Sequence, residues 1–123
     1  MNTNPVGWFE IYVQDMTRAR KFYETVLKLK LERLPSPGME MWNFPMEQNQ
    51  PGAAGALVKM EGVPSGGNST LIYFRCEDCA VEESRVKAGG GRIHKAKFSI
   101  GEYGFISLVL DTEGNMFGLH SAK

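Results

Sequence analysis

The chain has 123 residues, 42% hydrophobic and 23% charged, with 14 basic and 14 acidic side chains. One domain with a proper buried core is expected, and no charge excess favours nucleic acid or a membrane surface. No apolar run reaches the ~18 residues of a spanning helix, and the start MNTNPVGWFE lacks the basic and apolar regions of a signal peptide, so a cytoplasmic protein acting on small molecules is expected.

From Val6 to Val13 the hydrophobic pattern alternates, and from Met16 it changes to helical spacing through Ala19, Phe22, Tyr23, Val26 and Leu27. That is a strand followed by an amphipathic helix, with Asp15 placed as N-cap. The breaks LPSPG and NQPGAAG then separate three short strands, and MEGVPSGGNS reads as a linker. The order then repeats. TLIYFR is an apolar strand, Asp78 is a cap, Glu82 and Glu83 lie early and Lys87 late in a second helix that Gly89 stops, and KFSIGEYG and DTEGN divide three further strands. The two capping aspartates stand 63 residues apart, and the same offset superposes Gly38 on Gly101 and Gly55 on Gly118. The expected fold is therefore α+β: two tandem βαβββ units, about 6–61 and 70–123 with a linker at about 62–69, pairing curved mixed sheets around a concave cleft.

Cys76 and Cys79 are too few for a disulfide framework, and Glu77 and Asp78 between them oppose a reactive thiolate. They read as small buried or half-buried thiols. The glycine runs AGGGR and SGGNS follow a helix and precede a strand, so neither is a phosphate loop.

The stretches WFEIYVQDMTRARKFYETVL, GGNSTLIYFRCEDC and GFISLVLDTEGNMFGLHS together resemble the vicinal oxygen chelate superfamily, which includes glyoxalase I, extradiol dioxygenases and bleomycin-resistance proteins. The resemblance spans nearly the whole chain. It implies metal ligands projecting from the concave face, one in each unit's first strand and one in each unit's last strand. Aligning the caps brings these positions to Trp8 and Leu71 and to, or beside, Gly55 and Gly118, none of which offers a donor to a divalent cation. No metal and no cofactor are expected.

Side chains alternate across a strand, so each strand gives one set to its helix and one to the cleft. Phe9, Ile11 and Val13, like Ile72, Phe74 and Cys76, suit the helix side. Trp8, Glu10, Tyr12, Tyr73 and Arg75 are then cleft residues, with Met116, Gly118 and His120 from the last strand and Gly55, Leu57 and Lys59 from its counterpart. Trp42 would add an aromatic wall. An inward carboxylate at Glu10 needs solvent or a cation, with Arg75 and Lys59 as partners, and it reads either as a structural ion pair or as a catalytic base. His120 reads either as a general acid or base or as a histidine at a sheet edge or partner contact.

Three functions follow, of which a scaffold domain working only through dimerisation of its apolar, Met-rich strands is the third. The first is a metal-free protein that binds a small organic molecule, as in the bleomycin-resistance branch. The alternative is a glyoxalase-like lyase or isomerase acting on a small carbonyl or glutathione-conjugated substrate, with Glu10 removing a proton and Arg75 or Tyr73 stabilising the enediolate. A homodimer is expected from the uncovered sheets.

Overall fold

In the computed structural model, residues 4–123 are described. The chain runs β1 (Trp8–Tyr12), α1 (Met16–Leu27), β2 (Glu32–Leu34), β3 (Glu40–Asn43), β4 (Ala54–Lys59), then β5 (Tyr73–Arg75), α2 (Cys79–Val86), β6 (Arg92–Ser99), β7 (Phe105–Leu110) and β8 (Met116–Ser121). Strand, helix and three strands thus occur twice, forming two four-stranded sheets ordered β1-β4-β3-β2 and β5-β8-β7-β6. In each sheet the first strand lies parallel to the last and the other pairings are antiparallel. No helix among the described residues is long and apolar enough to cross a membrane.

The helices start where the chain supplies acceptors. Asp15 takes the Arg18 amide and Asp78 the Ala80 amide, each satisfying a donor that a helix's first turn leaves free. α1 buries Met16, Ala19, Phe22, Tyr23 and Val26, and ends at Lys28, which adopts the left-handed conformation at φ 53°. Across both units the helix-facing sets merge into one core, in which Ile11, Val13 and Leu57 meet Val86, Val109, Phe117 and Leu119. Phe9 reaches Phe74 of the other unit at a ring separation of 6.1 Å, and Tyr23 reaches Phe117 at 5.3 Å. The non-helix faces of both sheets therefore point away from the common core.

One turn fastens the units together. The Tyr23 hydroxyl donates to buried Asp111 at 2.6 Å, and the Glu113 carboxylate accepts from the amides of Gln14 and Asp15 and from the Arg18 guanidinium. The Asn115 amide group donates to the Tyr12 carbonyl and its oxygen accepts from the Gly66 amide. Burial pushes the Asp111 carboxyl up against the donors around it, and pushes the Tyr23 hydroxyl well above its ordinary range. Burial would also raise Glu113, but Arg18 and the amides of Asp15 and Gln14, together with the Thr112 hydroxyl, outweigh it and hold the carboxyl down to about 2.

The pairing corrects one alignment. Val13 donates to the Val58 carbonyl and Cys76 to that of His120, so the second unit is one residue shorter between cap and last strand, and Ala56, not Gly55, is the counterpart of Gly118. Gly55 stands beside Phe9 in the ladder and faces the helix side. Leu57 lies in the shared core, and Lys59 shares its phase, so neither belongs to the cleft face assigned from sequence.

A carboxylate depressed by folding stabilises the protein above its unfolded pKa and loses that contribution as pH falls through its folded pKa. Glu113→Gln is therefore expected to cost about 2 to 3 kcal/mol near neutrality, with a gap to wild type that narrows by about 2 kcal/mol as pH falls from about 6 to about 2.5. Urea unfolding of both proteins across that range checks this. A gap independent of pH would refute the electrostatic role.

Candidate functional site

β1 and β5 are edge strands of their sheets, and a cavity of about 950 Å³ lies along them. Trp8, Glu10 and Tyr12 from β1, Tyr73 and Arg75 from β5, and residues 66–72 of the connecting segment line it. Sequence reasoning missed that segment. Its place is fixed by the Gly66 bond to Asn115 and by Asn68, whose side chain donates to the Met116 carbonyl and accepts the Met116 amide. An asparagine next to a turn at each end was the available signal.

On the β1 wall Glu10 is a bracket. One carboxylate oxygen accepts the Trp8 indole N–H at 3.1 Å and the other accepts the Tyr12 hydroxyl at 2.8 Å, a contact that, with burial and the Glu10 charge, raises the Tyr12 pKa. Neither Arg75 nor Lys59 is its partner: Lys59 projects from the other face, and among the described residues no carboxylate lies within salt-bridge distance of Arg75. The three side chains occur at alternate positions of one strand, so the face that brings them together was legible, while the bonds depended on rotamers.

On the β5 wall Tyr73 pairs with Gly118 and its ring lies directly over that glycine, where a Cβ would overlap it. Tyr73 remains about half exposed. Arg75, two residues further, is exposed and lies beside His120 in the ladder. The His120 ring Nε2–H donates to the Tyr103 carbonyl at 2.7 Å, and the ring is not among the cavity residues. Trp42 also lies elsewhere. Paired with Leu57, it projects to the helix side, where the Arg20 guanidinium covers it at 3.5 Å and its N–H donates to Glu40. The aromatic wall is therefore Trp8, Tyr12 and Tyr73 without Trp42.

The positions from which a metal would be held do not suit one. Trp8 and Leu71 carry no donor for a divalent cation, Gly118 has none, and Ala56, the true counterpart of Gly118, has none either. Among the described residues no three His, Cys, Asp or Glu side chains converge elsewhere. Cys79 is buried, and burial together with nearby Glu82 pushes the Cys76 thiol up to about 12, so it stays protonated at neutral pH.

The two glycines differ in what they face. Phe9 is held between Phe44 and Phe74 in the core, whereas Tyr73 has solvent to move into. Gly55→Ala is expected to cost about 2 to 3 kcal/mol and Gly118→Ala about 1 kcal/mol or less. Denaturant unfolding of the two variants measures the difference, and the reverse order would overturn the face assignment.

Comparison with known proteins places this geometry. Residues 6–119 match the model of the Glyoxalase/Bleomycin resistance protein/Dioxygenase superfamily. "Putative glyoxylase CFP32" of Mycobacterium bovis (strain ATCC BAA-935 / AF2122/97) is 28% identical over 122 residues, which are 95% of this chain and 45% of that protein. The chain thus spans about half the length of the curated relatives it matches. Among solved structures, glyoxalase I from Zea mays has a TM-score of 0.75 at 19% identity over 96% of this chain and 46% of its own. TnmS3, an antibiotic binding protein from Streptomyces sp. CB03234, has a TM-score of 0.70 at 22% identity, covering 100% of this chain and 99% of its own. At these identities the structural likenesses establish the fold.

Proposed function

Because the chain belongs to the glyoxalase/bleomycin resistance protein/dioxygenase superfamily, we propose that it is a metal-free member that binds a small organic molecule in the cavity along β1 and β5. The observation that carries this reading is the cavity's make-up: the exposed Trp8 ring occupies one position where the family fold would need a metal donor, and the exposed Tyr73 ring covers another, Gly118. An antibiotic binding protein of nearly the same length and fold supports it. The reading includes a cytoplasmic setting.

The same reading includes a two-fold homodimer. Beyond the cavity residues, the outward face of the first sheet carries Glu32, and that of the second carries Arg92 and Lys95. A symmetric pair that sets one copy's first sheet against the other's second sheet matches these charges twice and covers both open faces. The lyase or isomerase reading draws on the description of the mycobacterial relative. It requires Glu10 to direct a lone pair to a substrate proton, whereas its two bonds run to Trp8 and Tyr12 beside it.

Light scattering at micromolar concentration is expected to give a dimer. Metal analysis is expected to find far less than about one zinc, nickel or iron per chain, with melting unchanged by chelators. A monomer would reject the assembly, and about one ion per chain would reject the metal-free reading. Native mass spectrometry of protein purified without added ligand tests the binding itself, with a small organic adduct as the expected result. Glu10→Gln should leave stability within about 1 kcal/mol of wild type; a large loss with unaltered aromatic spectra would show a structural partner other than Trp8 and Tyr12.

A further inference from the structure

We propose that the cavity is selective for planar aromatic anions, with Arg75 receiving a carboxylate and the rings of Trp8 and Tyr73 holding the aromatic plane. This deepens the small-molecule reading above and rests on it.

The charge argument comes first. Of the residues lining the cavity, only Glu10 and Arg75 are charged. Glu10 already accepts from Trp8 and Tyr12, one donor on each oxygen. Arg75 makes no side-chain hydrogen bond or ion pair among the described residues, and His120, its ladder neighbour, is turned to the Tyr103 carbonyl. The unmatched polar group in the cavity is therefore a guanidinium, whose planar fork of donors fits a carboxylate in two parallel bonds. A cationic ligand would meet only a carboxylate already held by two donors, and a neutral one would leave the fork without a partner.

The shape argument is independent. Trp8 is 39% exposed and Tyr73 47% exposed, which are high values for rings that line a cavity. Glu10 holds the indole by its N–H, and bare Gly118 lets the tyrosine ring lie over β8 with solvent on its other side. Exposed aromatic surfaces offer flat molecules area to stack on. Tyr73 and Arg75 occupy positions i and i+2 of β5, about 7 Å apart on one face, a distance that an arginine stem spans to reach a carboxylate on a ring stacked over Tyr73.

Calorimetric titration of the full chain with naphthoate, naphthamide and naphthylmethylammonium separates the possibilities. Naphthoate is expected to bind at least about tenfold more tightly than the amide, with the ammonium compound weakest. Arg75→Gln should erase the difference between acid and amide while leaving amide binding in place; Arg75 is exposed and unpaired, so the fold should tolerate the change. Tyr73→Ala should weaken all three compounds. Equal binding of acid and amide, or loss of selectivity without any effect of Arg75→Gln, would overturn the anion assignment and leave small-molecule binding standing. Failure of all three compounds to bind would overturn the aromatic-anion class, and the wider binding reading would then stand or fall on the adduct found by native mass spectrometry.

Discussion

The turn at residues 111–115 is the constraint on which the arrangement of the two units depends. Within five residues it places a buried acid on Tyr23, a second acid on the exposed amides ahead of α1, and an amide on the end of β1. A two-unit protein could be joined by apolar contact alone, but such contact is non-directional and would let the units slide. Directional bonds from one short turn to helix, strand and connecting segment fix the relation. They also explain why Glu113 tolerates burial: its carboxylate stands at the amino end of α1, where unpaired amides and the helix dipole favour negative charge, with Arg18 alongside. Since β1 ends in this network and β5 follows the segment it anchors, the width of the cavity is set there as well.

Much of this was legible in the chain. The aspartate caps, the change from alternating to helical spacing, and the helix-facing sets of β1, β5 and β8 depend on local rules, and the structure has them as read. The phase of β3 and β4 was not legible. In EMWN and AGALVK either alternate set is plausible on hydrophobicity, so the face is decided by register with a neighbouring strand, which is a long-range property. Gly55, Lys59 and Trp42 all fell on the wrong side for that reason. The repeat itself contributed, because an offset exact at the caps fails by one residue at the last strands.

Gly118 shows how an aromatic wall of the cavity depends on a position without a side chain. A histidine or glutamate there would need the space in which the Tyr73 ring lies. A bare glycine leaves that space to an aromatic ring that lies over the strand and is open above. On the opposite wall the same result is reached differently, since Glu10 remains but its acceptor capacity is directed to the two aromatic residues beside it on the strand. Its two bonds run to the rings on either side of it.

The two sheets resemble each other in topology but not in the chemistry of their open faces, and that difference matters for association. Two identical uncovered faces on one chain would pair with each other equally well in several combinations, including open-ended ones. Glu32 on the mostly apolar face of the first sheet and Arg92 and Lys95 on that of the second would make pairing of unlike faces more favourable than pairing of like ones. The outer strand β6 adds to this discrimination. It carries Arg92, Lys95 and Lys97, and its register shifts between Ile93 and Lys95 and again between Lys95 and Phe98, so its free edge is both charged and irregular. Such an edge resists extension by another strand.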